Sequence, residues 1–150
     1  MRARKILIVC LGNICRSPTA EVVLRDKARA AGIDLVVDSA GTGDWHVGEP
    51  PHPPMVRAAL RAGYDLSAVR GRQIAAGDFG RFDLILAADE QNLADVEALR
   101  PVGDTTPVSL FAPYAGGGLR AIPDPYFTED FDGALALVER AAEGLIAQLQ

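Results

Sequence analysis

The sequence predicts an α/β fold: a single three-layer domain, with a four-stranded parallel sheet flanked by helices on both faces. Three observations point to it. Short apolar runs rich in β-branched residues alternate with stretches whose apolar residues recur at helical spacing. That alternation of strands and helices is the pattern of a parallel sheet covered on both sides. No internal repeat and no linker divides the chain, and 150 residues suit one compact domain spanning 1–150.

Residues 5–9 are a short, continuous apolar run and read as a buried strand. Residues 10–16 form a turn. Ser17 then suits a helix N-cap and Pro18 the first helical position. Val22, Val23, Ala30 and Ala31 suit that helix's buried side, and Gly32 ends it. Residues 35–37 read as the second strand. The Gly- and Pro-rich stretch 41–54 reads as a loop. Residues 55–62 form a short helix closed by Gly63, and 72–75 a short extended piece. Residues 82–87 are the third strand. Asp89 caps a helix running to Arg100, where Pro101 stops it. Residues 106–110 are the fourth strand, and 111–123 a long irregular segment with three consecutive glycines. From Phe131 a last helix carries Leu135, Val138, Ala142, Leu145 and Leu149 at helical spacing.

Composition narrows the function. Hydrophobic residues make up 49% and charged residues 23%, a globular balance. The apolar runs are too short to span a bilayer, and no signal-peptide pattern follows the basic first residues. A cytoplasmic protein is expected, with Arg2, Arg4 and Lys5 solvated. A net charge of -5 argues against bulk binding of nucleic acid or anionic membrane. It leaves room for one local anion site. The two cysteines, Cys10 and Cys15, are too few for a disulfide framework. With only His46 and His52 beside them, they are also too few for a zinc site, so no metal is expected. Catalytic or redox thiols and inert buried ones fit equally well at this level.

The turn Cys10-Leu11-Gly12-Asn13-Ile14-Cys15-Arg16-Ser17 breaks that tie. It joins the first strand to a helix N-terminus, where free backbone amides and the helix dipole favour an anion. In an open α/β sheet, that end of the strands is where ligands bind. Gly12 and Asn13 can adopt the positive-φ conformations of an amide-lined nest. Arg16 adds a planar fork matched to two phosphate oxygens. Cys10 opens the loop, so its sulfur can lie beneath a bound phosphorus. Positive surroundings favour the thiolate, the nucleophilic form. A dinucleotide fingerprint needs more glycines, and a Walker A loop needs Lys where Arg16 stands.

The run from Cys10 to Pro18, followed by Thr19-Ala20-Glu21, resembles the phosphate-binding loop of the low-molecular-weight protein-tyrosine phosphatases. The likeness continues through Ser39-Ala40-Gly41-Thr42, Trp45-His46-Val47-Gly48, Pro50-Pro51, Arg72-Gln73, Asp89 with Asn92, and Asp124-Pro125-Tyr126. It implies hydrolysis of phosphotyrosine through a phosphocysteine intermediate, with no metal or cofactor. Carried over by position, Cys10 is the nucleophile, Arg16 the phosphate clamp and Asp124 the general acid, then base. Leu11, Gly12, Asn13, Ile14, Cys15 and Ser17 would surround the substrate phosphate, with Ser17 donating to the Cys10 thiolate. Asn13 would hold the loop's shape with Ser39 behind it. Trp45 and Tyr126 would wall the substrate ring. Cys15 would also guard Cys10 against oxidation. The implied partner is a phosphotyrosine-containing protein, with no nucleic acid or membrane, and the chain is a monomer or weak dimer.

Plainer readings stand beside several of these. Asp-Pro-Tyr is an ordinary turn by itself. Trp45 also suits a plug over the sheet edge, Ser39 a strand-end turn and Cys15 a packing role. His46 and His52 read as loop residues, and Asp89 as a helix cap. One departure stands out: many relatives carry a histidine shortly before Arg72 that supports the loop, and here that stretch is Ala68-Val69-Arg70-Gly71. Three other functions compete. An arsenate reductase needs later cysteines, and none follows Cys15. A protein-arginine phosphatase typically has Thr where Ile14 stands. A non-catalytic phosphate-binding module would have lost Cys10, Arg16 or Asp124.

Overall fold

A computed structural model of the chain describes residues 3–150. Its strands are β1 Lys5–Cys10, β2 Val36–Gly41, β3 Leu84–Ala87 and β4 Val108–Leu110, in the spatial order β2-β1-β3-β4. All pairings are parallel. The helices are α1 Arg16–Ala30, α2 Pro53–Arg61, α3 Glu90–Glu97, α4 Pro125–Thr128 and α5 Phe131–Leu149. This is the three-layer α/β architecture that the sequence predicts.

Side-chain alternation along β1 builds two cores. Ile6 and Ile8 point into the larger one, with Val23 and Leu24 of α1 and Val138 and Leu145 of α5. Leu7 and Val9 point into a smaller one, with Ile85, Phe79 and Val96 of α3. Because β1 is flanked by β2 and β3, its carboxyl end opens in the middle of the sheet edge. The backbone leaving Cys10 therefore emerges in the crevice where open α/β sheets bind ligands.

Several local expectations are corrected. Ser17 is not the cap of α1. Cys15 holds the N-cap position with no side-chain cap bond, and Ser17 lies inside the first turn. β2 extends to Gly41, so Ser39 is a strand residue and not a turn. Residues 72–75 contribute one isolated parallel bridge, Gly41 with Gln73. α3 stops at Glu97, before Arg100, and β4 is shorter than expected. Two 3-10 turns, Ala76–Gly80 and Ala112–Ala115, and the single-turn helix α4 fall in stretches without helical periodicity. Asp89 does cap α3, accepting from the Asn92 amide. Arg4 and Lys5 are exposed, and Arg2 lies outside the described residues.

Candidate active site

The loop from Leu11 to Cys15 is held open from behind. Backbone N–H groups from Gly12 to Ser17 find no acceptor among the described residues. Such a set of amides at a helix N-terminus is an anion cradle. Asn13 sets its curvature: φ is 57°, the left-handed region that Asn tolerates better than most residues. The side chain is buried and fully used. Its Oδ1 accepts from the Arg72 amide at 3.0 Å, while its Nδ2 donates to Ser17 Oγ at 2.8 Å and Ser39 Oγ at 3.0 Å. Ser39 in turn donates to Glu21 Oε1 at 2.6 Å. Gly41 lies directly beneath, where an added Cβ would come within 2.9 Å of the Leu11 carbonyl oxygen.

Ser17 connects this network to the thiol. Its Oγ lies 3.0 Å from Cys10 Sγ and 3.4 Å from the Ala40 carbonyl. Since Oγ already accepts from Asn13, its hydrogen is left for one of these two, and the sulfur is the nearer. The guanidinium of Arg72 is gripped by Asp38 and Asp78 at 3.1 Å each, which fixes the backbone amide that Asn13 reads.

Arg16 is almost fully buried and is aimed by acids from two other elements. Nη1 donates to Asp89 Oδ2 at 2.7 Å and to the Ile122 carbonyl at 2.9 Å. Nη2 lies 3.4 Å from Asp124 Oδ2. Nε has no partner among the described residues, so a buried donor remains for a ligand. Asp89 works with both oxygens, since Oδ1 caps α3 through the Asn92 amide at 2.8 Å. Asp124 caps α4 through the Tyr126 amide at 3.1 Å and keeps its other oxygen toward Arg16.

These groups meet in a cleft of about 240 Å³. Cys10, Leu11, Gly12, Ile14, Cys15 and Arg16 form its floor, Asp124 enters from the side, and Trp45, His46, Tyr126 and Phe127 form its walls. Trp45 is 65% exposed and borders the cleft, which disfavours the sheet-edge plug. Its ring folds over Gly43, where an added Cβ would fall 2.0 Å from it. Tyr126 is braced by His52 and Phe127, at ring-centroid separations of 5.2 and 5.3 Å. His46 Nδ1 pairs with Glu49 at 2.5 Å. Cys15 is buried in the larger core beside the cleft. Its thiol is pushed up to about 12, first by burial and then by the charges of Asp124 and Cys10, against the opposing pull of Arg16.

The residues singled out in the sequence thus come together: Cys10, Arg16 and Asp124 in one cleft, Trp45 and Tyr126 at its rim, Asn13, Ser17 and Ser39 behind it. Sequence reasoning missed four features. Phe127 is a wall residue, signalled only by its position beside Tyr126. His46 lines the cleft, although it read as a loop residue. Asp89 holds Arg16 as well as α3. Glu21 and Arg72 support Ser39 and Asn13 from elements far apart in the chain, and spacing carries no sign of that.

Residues 5–150 match the family model for low molecular weight phosphotyrosine protein phosphatases. The chain is 36% identical to the low molecular weight protein-tyrosine-phosphatase YfkJ of Bacillus subtilis, over 97% of this chain and 95% of that protein. The YfkJ crystal structure superposes with a TM-score of 0.93, at 35% identity, covering 100% of this chain and 96% of that one. A Drosophila arginine phosphatase, DARP, is also similar, with a TM-score of 0.90, 32% identity, and 97% and 98% coverage. The chain belongs to the low molecular weight phosphotyrosine protein phosphatases, a family of hydrolases.

Proposed function

We propose that the chain hydrolyses phosphotyrosine in phosphoproteins through a phosphocysteine intermediate on Cys10. The observation that carries this reading is the convergence on one cleft of a thiol, a buried guanidinium and a carboxyl, with an Nε and a row of amides that have no partner among the described residues. The non-bridging phosphate oxygens meet the loop amides and Arg16, which stabilise charge as the phosphoryl group transfers. Cys10 Sγ attacks phosphorus in line with the departing phenol oxygen, with Ser17 stabilising the thiolate. The P–O bond breaks, and Asp124 gives its proton to the leaving oxygen. Asp124, now a carboxylate, takes a proton from water. That water attacks phosphorus, breaks the S–P bond, releases phosphate and restores the Cys10 thiolate. Trp45, Tyr126 and Phe127 hold the aromatic ring.

In this reading the cradle supplies the positive charge itself and works without metal or cofactor. The chain acts as one domain, 1–150, in the cytoplasm, as a monomer or weak dimer with neither nucleic acid nor membrane as partner. The acidic charge balance supports this, and no helix among the described residues is long and apolar enough to cross a membrane.

The likeness to an arginine phosphatase makes phosphoarginine the second reading. Ile14 weighs against it, because an apolar side chain of that size lines the cleft and favours an aromatic ring. The test compares wild type with Cys10→Ser on phosphotyrosine, phosphoserine and phosphoarginine peptides, without added metal. Wild type is expected to act fastest on phosphotyrosine, and Cys10→Ser to lose turnover while keeping its fold and its affinity for inorganic phosphate. A serine variant near the wild-type rate overturns the nucleophile, and a wild-type preference for phosphoarginine overturns the substrate.

A further inference from the structure

Beside the cleft lies a second groove of about 470 Å³. Leu11 and Trp45 line both, so the two form one continuous surface. Its floor is apolar, made by Leu11, Ile74 and Leu99, and the one charged group lining it is Asp95 of α3. Asp95 Oδ1 accepts from the neutral amide of Gln91 at 3.0 Å, and no cation pairs with it among the described residues. Glu49, another acid near the cleft, is by contrast tied to His46.

We propose that this groove binds a lysine or arginine side chain flanking the phosphotyrosine of the substrate. The inference rests on the phosphatase reading above and adds a sequence preference to it. A phosphotyrosine seated in the cleft presents its neighbouring residues to the surface that Leu11 and Trp45 share. A long basic side chain suits that surface along its whole length. Its methylene stem lies on apolar floor. Its cationic head is attracted to the exposed indole of Trp45. The same groove is lined by the carboxylate of Asp95, which no cation among the described residues neutralises. An acidic side chain there would face uncompensated repulsion. A basic neighbour also offsets the repulsion between a dianionic phosphate and a chain of net charge -5.

The experiment uses phosphotyrosine peptides carrying a single Lys, Ala or Glu at each flanking position in turn, with wild type, Asp95→Asn and Asp95→Lys. For wild type, kcat/KM of the best Lys peptide is expected to exceed that of its Ala counterpart about fivefold, with Glu lowest. Asp95→Asn should bring the Lys-to-Ala ratio close to one, and Asp95→Lys should invert the order in favour of Glu. A small aryl phosphate, which does not reach the groove, separates the two levels of inference. If wild type fails to hydrolyse it, the phosphatase reading itself falls. If wild type turns over that ester and the Ala peptides but shows no Lys preference at any position, or if the preference survives Asp95→Asn, the groove proposal falls alone.

Discussion

Two thiols five positions apart, Cys10 and Cys15, sit in different surroundings. Cys10 ends a strand beneath the free amides and touches Ser17. Cys15 is packed in the larger core, and its pKa is pushed up to about 12, chiefly by burial. A thiol that keeps its proton does not compete as a nucleophile, so the loop can hold both and still leave the proposed attack to Cys10. The same shift bears on oxidation. Peroxide converts a thiolate to sulfenic acid, and a neighbouring thiolate closes a disulfide by displacing hydroxide, which takes a proton from solvent and leaves as water. The closing step depends on the thiolate fraction of Cys15, which grows with pH across the whole neutral range because the thiol titrates only near 12. After peroxide and then a thiol reductant, wild type is expected to recover activity and Cys15→Ser to recover much less. The wild-type recovery should be greater when oxidation is done at about pH 8.5 than at about pH 6.5. Equal recovery of the two proteins would leave Cys15 as core packing alone.

The decisive element is the junction of β1 with α1, yet the parts that aim it come from other elements. Helix α1 starts without a side-chain cap, which leaves its first amides to the cradle. Helix α3 starts with Asp89, and that one carboxylate both caps it and holds Arg16. The two duties can be separated. Asn is as good a cap as Asp but carries no charge. Asp89→Asn is therefore expected to keep the cap of α3 while lowering kcat/KM for an aryl phosphate by about tenfold, the scale of one lost charged hydrogen bond. Asp89→Ala should lose rate to at least the same degree and, in addition, about 1 kcal/mol of stability with the cap. Urea denaturation and steady-state kinetics on both variants check this, and an Asn variant with undiminished kcat/KM would show that Asp89 matters to α3 alone.

Across the whole molecule, the longest helix spans the larger core from the cleft to the far end. Phe131, its first residue, packs on His52 at a centroid distance of 5.8 Å, and His52 packs on Tyr126 at the rim. Further along, Gly144 lets α5 pass close to the 3-10 turn Ala112–Ala115. An added Cβ would fall 1.8 Å from the Tyr114 carbonyl oxygen. Local and global physics oppose each other here. Helix propensity says that Gly144→Ala stabilises by up to about 1 kcal/mol. The backbone contact says that α5 must shift away from the turn, and overpacking of this kind costs about 1–3 kcal/mol. The contact is the stronger effect, because a carbonyl in the path cannot rotate aside as a side-chain tip can. Gly144→Ala is expected to lower the urea midpoint, and a raised midpoint would show that propensity governs the helix.

Hydrophobic periodicity and turn chemistry are local properties, and they were enough to determine the four strands, the principal helices and their parallel three-layer packing. The proposed chemistry of the first loop is local for the same reason: the residues proposed as nucleophile, cradle and clamp all lie within Cys10 to Ser17, a stretch whose spacing constrains them. Element ends were less legible. The cap of α1 was misassigned to Ser17 because a serine before a proline carries the same local signature whether its hydroxyl closes a helix or turns toward a sulfur. What only the tertiary structure decided is the set of partners brought from a distance. Asp89 and the Ile122 carbonyl reach Arg16, Arg72 reaches Asn13, Glu21 reaches Ser39, and Asp95 reaches the groove beside Trp45. These contacts depend on the sheet order β2-β1-β3-β4, and that order arises from packing two apolar faces at once, which no window of sequence contains.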